Sequence, residues 1–270
     1  MRNCVARAGA VAFLAACAPP PATDSVPNED ATIVLRPYFR DLRVVHATAG
    51  TDTLKLLLDT GGGATLLTPD RARRNGCTPR GSDIGHRMTG EAVTFARCDS
   101  LRLVIGDFES FVSPVGVFDL NALLPDELPR LDGVLALDAF LGRVITVDWS
   151  ADRITVHGPT TDTQARDALP MRAATGMSGR FYSAFVPVEG RFDTLWFLLD
   201  SGNLRGTLVA TAVLRDSLLV RNALLHVAGR VYDSLPITPA DLAIDGALGT
   251  DFMRRGPITL DLRDRHPRIR

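Results

Sequence analysis

The chain has 270 residues, of which 46% are hydrophobic and 23% charged, and its 30 basic and 31 acidic side chains give a net charge of −1. This composition excludes wholesale disorder, and the lack of excess positive charge argues against a nucleic-acid partner. Lys55 is the only lysine, so chemistry that depends on a buried lysine has almost no place in the chain. No histidine pair and no Cys-x-x-Cys has metal-ligand spacing, and we therefore predict neither a metal nor a cofactor.

Residues 1–16 are predicted to be an export signal. Arg2 and Arg7 precede a short apolar run that ends in small residues, which is typical of a secretory signal peptide. The run is far shorter than the roughly 20 residues that cross a bilayer as a helix.

The end of this signal, Leu14-Ala15-Ala16-Cys17, resembles the lipobox of bacterial lipoproteins. In that family the cysteine is acylated and becomes the mature N-terminus, so the resemblance implies lipidation of Cys17 and a lipid-anchored protein of the bacterial cell envelope. Ala18 is not an acidic residue, which favours the outer membrane over retention in the inner one. The alternative is an ordinary signal cleaved near Ala18. Residues 17–30 are rich in Pro, Asp, Asn and Ser and are predicted to form a flexible tether.

The folded part begins with a predicted β-hairpin. The apolar runs Leu42–Ala47 and Thr53–Leu58 flank Ala49-Gly50, a hairpin signal. A further strand is expected over Ala64–Leu67. Thr68 followed by Pro69 then predicts a short helix with an N-cap, which Gly76 ends.

Two cysteines remain once Cys4 and Cys17 are assigned to the N-terminal segment. Cys77 and Cys98 are predicted to form a disulfide, as is plausible for an exported protein, and the alternative is a pair of free buried thiols. Strands are expected over Val144–Asp148 and Arg153–His157.

The chain matches itself in two places. Residues 52–61 parallel residues 193–202 at an offset of 141, and residues 131–138 parallel residues 244–251 at an offset of 113. We therefore predict two copies of one unit, over 31–157 and 180–270, joined by a polar linker at 158–179. In the second copy, strands are expected over 185–188, 195–199, 207–210 and 258–262 and a helix over about 211–218. Asp132 and Asp245, in the second match, are expected to serve turns.

Each copy carries an aspartate at the end of an apolar strand. A carboxylate there is costly unless it is paired, which suggests that Asp59 and Asp200 face each other. Two close carboxyl groups share a proton, so one can act as general base on a water while the other protonates a substrate carbonyl. Gly61 and Gly202 allow the sharp turns that follow, and the hydroxyls of Thr60 and Ser201 are expected to lock the two loops. The alternative is a pair of purely structural turns.

These motifs carry a family resemblance. Asp59-Thr60-Gly61 and Asp200-Ser201-Gly202, each followed by an apolar-apolar-Gly/Ala element, resemble the aspartic proteases of the pepsin and retropepsin superfamily, and the first copy is similar to bacterial retropepsin-like proteases. The resemblance implies a mainly β, two-lobed fold with a few short helices, and a cleft with one catalytic aspartate per lobe. It also implies an endopeptidase that acts on an extended peptide or unfolded protein, with a monomeric active unit.

The family also has a hairpin flap over the cleft, which we place with its tip at Thr89 and Gly90. The sequence departs from the family pattern at Ala136, where a glycine is usual, and Arg205 follows the second motif closely. These departures keep open a rival function, a catalytically impaired envelope lipoprotein that binds peptides or proteins. A phosphate loop at residues 61–63 is disfavoured because the preceding aspartate repels phosphate.

Overall fold

A computed structural model describes residues 29–159, 168–174, 182–190, 193–216 and 224–263. The predicted signal 1–16, the lipidation residue Cys17 and most of the predicted tether lie outside the described residues. In the described part of the chain, no helix combines the length and the hydrophobicity needed to cross a membrane.

The described residues form mainly strands, numbered here in chain order. In the first half they are β1 (Ala31–Val34), β2 (Arg36–Pro37), β3 (Arg43–Ala49), β4 (Asp52–Leu58), β5 (Leu66–Leu67), β6 (Arg80–His86), β7 (Ala92–Cys98), β8 (Leu101–Ile105), β9 (Phe108–Val112), β10 (Val115–Val117), β11 (Gly133–Leu135), β12 (Val144–Asp148) and β13 (Arg153–Val156). In the second half they are β14 (Arg172–Ala174), β15 (Ser183–Glu189), β16 (Thr194–Leu199), β17 (Thr207–Ala210), β18 (Leu224–Val227), β19 (Arg230–Asp233), β20 (Ile237–Ala240), β21 (Gly246–Leu248) and β22 (Ile258–Asp261).

The helices are short. They are α1 (Pro69–Arg74), α2 (Thr211–Asp216) and α3 (Thr250–Met253), with two 3-10 turns at Leu120–Leu123 and Leu137–Phe140.

The strands form three sheets. The N-terminal sheet has the order β6-β7-β10-β5-β11-β4-β3-β8-β9, with β2 beside β3, and the C-terminal sheet has the order β19-β18-β15-β16-β21-β17-β20, with β14 beside β15. The bridging sheet, β1-β13-β12-β22, takes strands from both halves, because β12 pairs with β22 in the register Thr146↔Thr259. The two halves are therefore joined by backbone hydrogen bonds as well as by packing.

The strands that lead to the two aspartates lie deep in these sheets. In β4, Leu54, Leu56 and Leu58 share one face of the strand and are at most 1% exposed, and Leu57 on the other face is 6% exposed. It pairs antiparallel with β3 and parallel with β11, and β16 pairs in the same way with β15 and β21. Both aspartates thus follow a central strand that is paired on both sides.

One large apolar core spans both halves of the chain, and two smaller clusters flank it. The largest fully buried side chains of this core come from both halves: Phe140, Trp149, Tyr182, Phe197 and Phe252. We call one flanking group the C-terminal apolar cluster; it consists of Leu198, Leu208, Ala240 and Ala247 with partly buried neighbours.

The predicted fold class, mainly β and two-lobed with a few short helices, is confirmed. The helix predicted at Thr68 is present as α1, with proline in its first turn and Gly76 beyond its end at a φ of +74°. The predicted N-cap is wrong in one respect, because the Thr68 side chain makes no capping bond. Within the segment predicted as a linker, residues 172–174 form β14 and pair with β15.

Candidate active site

Asp59 and Asp200 each occupy the first position after a central strand, β4 or β16. The N–H of Asp59 donates to the carbonyl of Leu135 at 3.0 Å, and the N–H of Asp200 donates to the carbonyl of Leu248 at 2.9 Å. The strands β11 and β21 therefore fix the backbone of both aspartates in the same way.

The two loops are cross-linked by the residues that follow the aspartates. The Thr60 hydroxyl donates to the carbonyl of Leu199 and the Ser201 hydroxyl donates to the carbonyl of Leu58, both at 2.8 Å. Each hydroxyl also accepts the backbone N–H of the other residue at 3.0 Å. These four buried bonds satisfy every polar group involved and hold the two halves in register at the site.

Two glycines let the carboxyl groups approach the opposite loop. A Cβ built on Gly61 would lie 2.7 Å from Cγ of Asp200, and one built on Gly202 would lie 2.5 Å from Cγ of Asp59. Each glycine N–H also donates to the carboxylate of its own loop at 3.0 Å. Only glycine fits at either position without displacing a carboxyl group.

Each carboxyl group therefore lies against the glycine of the opposite loop, and each affects the pKa of the other. Burial raises the pKa of Asp59, while hydrogen bonds from the amides of Gly61, Gly62 and Gly202 and from Asp200 oppose that rise. Burial and the nearby charge of Asp59 raise the pKa of Asp200 well above its ordinary value. The pair therefore titrates in two steps that belong to the pair, and the pKa of Asp200 is the more strongly raised of the two.

The hairpin β6–β7 reaches from the first half to the second. Its turn spans residues 87–91, with Gly90 at a φ of +86°. The carbonyl of Met88 accepts the N–H of Ala243 at 2.9 Å, and the Met88 side chain packs against the C-terminal apolar cluster. Thr89 and Gly90, predicted as the flap tip, lie in this turn.

Ala136, which departs from the family glycine, is fully buried without displacing the Asp59 loop. Its counterpart Gly249 cannot carry a methyl group, because a Cβ there would lie 2.6 Å from the backbone of Gly206. Since the loop from Asp59 to Thr65 is one residue shorter than its counterpart from Asp200, it leaves room for the alanine.

Arg205 is exposed, and its N–H donates to Oδ1 of Asn203. The pKa of Asp200 is set by burial, by Asp59 and by the amide of Gly202, so Arg205 does not disturb the pair.

Two further aspartates support the loops and were missed by the sequence reasoning. Asp138 accepts both the N–H and the hydroxyl of Thr65, and Asp251 accepts both from Thr207. Burial raises the pKa of Asp138 to about 6. The sequence did hold a signal for this pair, because Asp138 and Asp251 are aligned at the offset of 113 that also aligns Asp132 with Asp245.

Those turn aspartates, Asp132 and Asp245, accept the N–H of Lys55 and of Trp196, each at 2.8 Å. Both therefore hold backbone, as expected. Cys77 and Cys98 form a disulfide, with their Cα atoms 5.7 Å apart, that ties the end of α1 to the end of β7. Among the described residues, no group of three His, Cys, Asp or Glu side chains is placed to hold a metal ion.

No family model matches the chain, and no curated protein matches its sequence. Solved structures do match, among them the crystal structure of basic 7S globulin from soybean. That structure has a TM-score of 0.51 and 9% identity, and the match covers 87% of this chain and 95% of that chain. At this identity the likeness shows the fold alone, and it agrees with a two-lobed, pepsin-like β fold.

Proposed function

We propose that the protein is an aspartic endopeptidase in which Asp59 and Asp200 together activate water. One observation carries this proposal: the two carboxyl groups meet at loops that are themselves cross-linked, and each lies against the glycine of the opposite loop. Burial and the Asp59 charge keep the Asp200 pKa high, so the pair holds one proton where a lone carboxyl group would hold none. A pair with one proton can give and take a proton in the same step.

The chemistry then follows from the two protonation states. Asp59 takes a proton from a water whose oxygen forms a bond to the peptide carbonyl carbon, while Asp200 gives its proton to the carbonyl oxygen. In the second step Asp59 gives its proton to the amide nitrogen of the resulting gem-diol and the C–N bond breaks. One of the two hydroxyl groups then becomes the carboxyl C=O and returns its proton to Asp200. The pair ends in its starting state, and no covalent intermediate forms.

An extended peptide is the substrate that suits this site. The strand β6 is at the edge of the N-terminal sheet, and a peptide in extended conformation can add to such an edge through backbone hydrogen bonds. The hairpin that contains β6 also contacts the second half through Met88 and Ala243, so it can cover a bound chain. We expect an unfolded protein or extended peptide, cut by a monomeric enzyme.

The rival is a protein with the same fold that binds peptides without cutting them. The similar solved structure has the printed name of a globulin, which leaves this rival open. The identity of 9% is too low to carry either function across.

Hydrolysis of unfolded casein between pH 3 and 8 separates the two functions. The wild type should release peptides, and both Asp59→Asn and Asp200→Asn should lower turnover by about 10⁴-fold, since general acid and base catalysis are lost together. Asp126→Asn removes a carboxylate whose side chain is 94% exposed and serves as the matched control. Binding of casein with no hydrolysis in any of the four proteins would establish the rival.

The lipid anchor remains part of the proposal. Replacing Cys17 by serine should move the protein from the detergent phase to the aqueous phase of a Triton X-114 partition, whereas a Cys4→Ser variant should stay in the detergent phase. Equal partitioning of the wild type and the Cys17→Ser variant would contradict lipidation.

A further inference from the structure

A chain of hydrogen bonds in the first half connects a buried carboxylate to the backbone of Asp59. Asp138 accepts the Thr65 N–H at 2.9 Å and the Thr65 hydroxyl at 2.5 Å. Oγ1 of Thr65 in turn accepts the N–H of Ala136 at 3.2 Å. That N–H belongs to the peptide group whose carbonyl, on Leu135, accepts the N–H of Asp59 at 3.0 Å. One peptide group is thus held by Thr65 on one side and holds Asp59 on the other.

The orientation of the Thr65 hydroxyl follows from its partners. A hydroxyl has one proton to donate, and a carboxylate is the stronger acceptor, so above about pH 6, where Asp138 is ionised, the proton points to Asp138. The lone pairs of Oγ1 are then free for the Ala136 N–H only. Asp138 and Thr65 are both buried, at 9% exposure or less, so water does not compete for these bonds.

The second half lacks the last bond of this chain. Thr207 donates its N–H and its hydroxyl to Asp251 at 2.9 and 3.0 Å, and the carbonyl of Leu248 accepts the N–H of Asp200. Among the bonds of the described residues, however, none joins the N–H of Gly249 to Oγ1 of Thr207. In this half the longer loop brings the backbone of Gly206 against Gly249.

We propose that Thr65, oriented by Asp138, is a positioning residue for Asp59, and this inference rests on the proposed function. The Thr65 hydroxyl fixes the Leu135–Ala136 peptide and through it the direction in which the Asp59 carboxylate faces Asp200. Loss of the hydroxyl lets this peptide tilt, changes the geometry of the shared proton and slows the chemical step. Because Thr65 is fully buried, it is out of reach of a bound peptide, and peptide binding should be unaffected.

The test compares Thr65→Val, which removes only the hydroxyl, with Thr65→Ser, which restores it. Thr207→Val is the matched control, because it makes the same deletion beside an equivalent carboxylate where the last bond is missing. For each full-length protein, kcat and KM are measured on a fluorogenic peptide that the wild type cuts. The titration of the Asp59–Asp200 pair is followed separately by NMR of ¹³C-labelled aspartate carboxyl groups.

We expect Thr65→Val to lower kcat about tenfold with KM unchanged, since small displacements of reacting groups are costly. Its upper titration step should move by about half a pH unit, because that step depends on the contact between the two carboxyl groups. Thr65→Ser should restore both values. Thr207→Val should lower the melting temperature and leave the titration of the pair at its wild-type position.

The proposal is overturned if Thr65→Val keeps the wild-type titration and kcat, if serine fails to restore them, or if Thr207→Val causes the same shift. Should the wild type cut no peptide, the proposed function fails, while the titration still decides whether Thr65 positions Asp59. Asp138→Asn is the second variant in case Thr65→Val does not fold. It keeps the shape of the acceptor and should move the upper titration step of the Asp59–Asp200 pair in the same direction as Thr65→Val does. An unchanged titration contradicts the proposal.

Discussion

The two halves of the molecule build the same loop around an aspartate and differ in what surrounds it. In the C-terminal sheet the seven strands β19-β18-β15-β16-β21-β17-β20 correspond one to one with β9-β8-β3-β4-β11-β5-β10 in the N-terminal sheet. The N-terminal sheet continues into β7 and β6, the hairpin that reaches the second half. Among the described residues the C-terminal sheet has no such extension. The shared part therefore positions the aspartates, whereas the added part contacts the second half through Met88 and Ala243.

The difference shows which features the proposed chemistry needs twice and which it needs once. Both halves need a backbone acceptor for the aspartate N–H, a hydroxyl that reaches across, and a glycine against the opposite carboxyl group. The hairpin, the disulfide that ends at β7, and the complete bond chain through Thr65 occur in the first half. A substitution in a feature of the first group should therefore have the same effect in either half. A substitution in a feature of the second group has no equivalent in the second half.

Alanine at the paired glycines should have the largest effect. Gly61→Ala and Gly202→Ala each put a methyl group within 2.7 Å of the opposite carboxyl carbon and force the pair apart. Either variant should lose activity by about 100-fold or more, since misplaced groups no longer share a proton. Gly85→Ala, whose Cβ would meet only the Phe95 ring edge at 3.3 Å, should keep most of it. If only one of the two variants kept its activity, Gly61 and Gly202 would not have the equivalent roles assigned to them here.

Removal of the disulfide should destabilise the first half. The bond joins residues 21 positions apart, and closing a loop of that size contributes about 3 kcal/mol to the free energy of unfolding. Cys77→Ser, Cys98→Ser and the double variant should therefore lower the midpoint of urea unfolding to the same extent. A double variant that loses about twice as much as either single one would show that the cysteines act independently.

Asp138 should make stability depend on pH. Its pKa is raised to about 6 in the folded protein, so the folded state binds the proton more tightly than the unfolded chain does. Its contribution is present below about pH 4 and is lost as the pH rises to about 6, and at about 1.36 kcal/mol per pKa unit it amounts to about 3 kcal/mol. Urea unfolding at pH 4, 5, 6 and 7 should show a steeper decline in the wild type than in Asp138→Asn. If the stability of the two proteins fell in parallel with pH, Asp138 would have the same pKa in the folded and the unfolded state.

The hairpin contact should have the smallest effect. Met88→Ala removes apolar packing against the C-terminal apolar cluster and should cost about 1 kcal/mol, since the side chain is only partly buried. The opening of the tip should appear as faster hydrogen exchange at the N–H of Ala243, which donates to Met88. Ile84→Ala, an exposed position on β6, is the control. Unchanged exchange at Ala243 would mean that the side chain does not hold the tip.

The sequence predicted the strands that lead to the site because apolar runs and turn residues are local signals. The register of Asp59 with Asp200 was also readable, since the same ten-residue pattern occurs twice. The contact of Met88 with Ala243 was not, because it joins positions far apart in the chain through a backbone carbonyl that any residue would supply.

The role of Asp138 was missed for a different reason. It lies in the same matched element as Asp132, and nothing local distinguishes the carboxylate that binds Thr65 from the one that binds the N–H of Lys55. The side-chain cap predicted for Thr68 is absent, and what holds this residue is a bond from its backbone N–H to the carbonyl of Asp132, a contact that the local sequence does not encode.

The pH dependence of kcat/KM for a peptide substrate tests the central claim most directly, because it reports the ionisation of the free enzyme. If Asp59 and Asp200 hold one proton between them, the profile is bell-shaped. Both midpoints then lie above the ordinary aspartate pKa of 3.8, the upper one well above it, because burial and the Asp59 charge raise the Asp200 pKa. A profile with a single midpoint near 3.8, unchanged in Asp200→Asn, would mean that the two carboxyl groups act independently and would contradict the account.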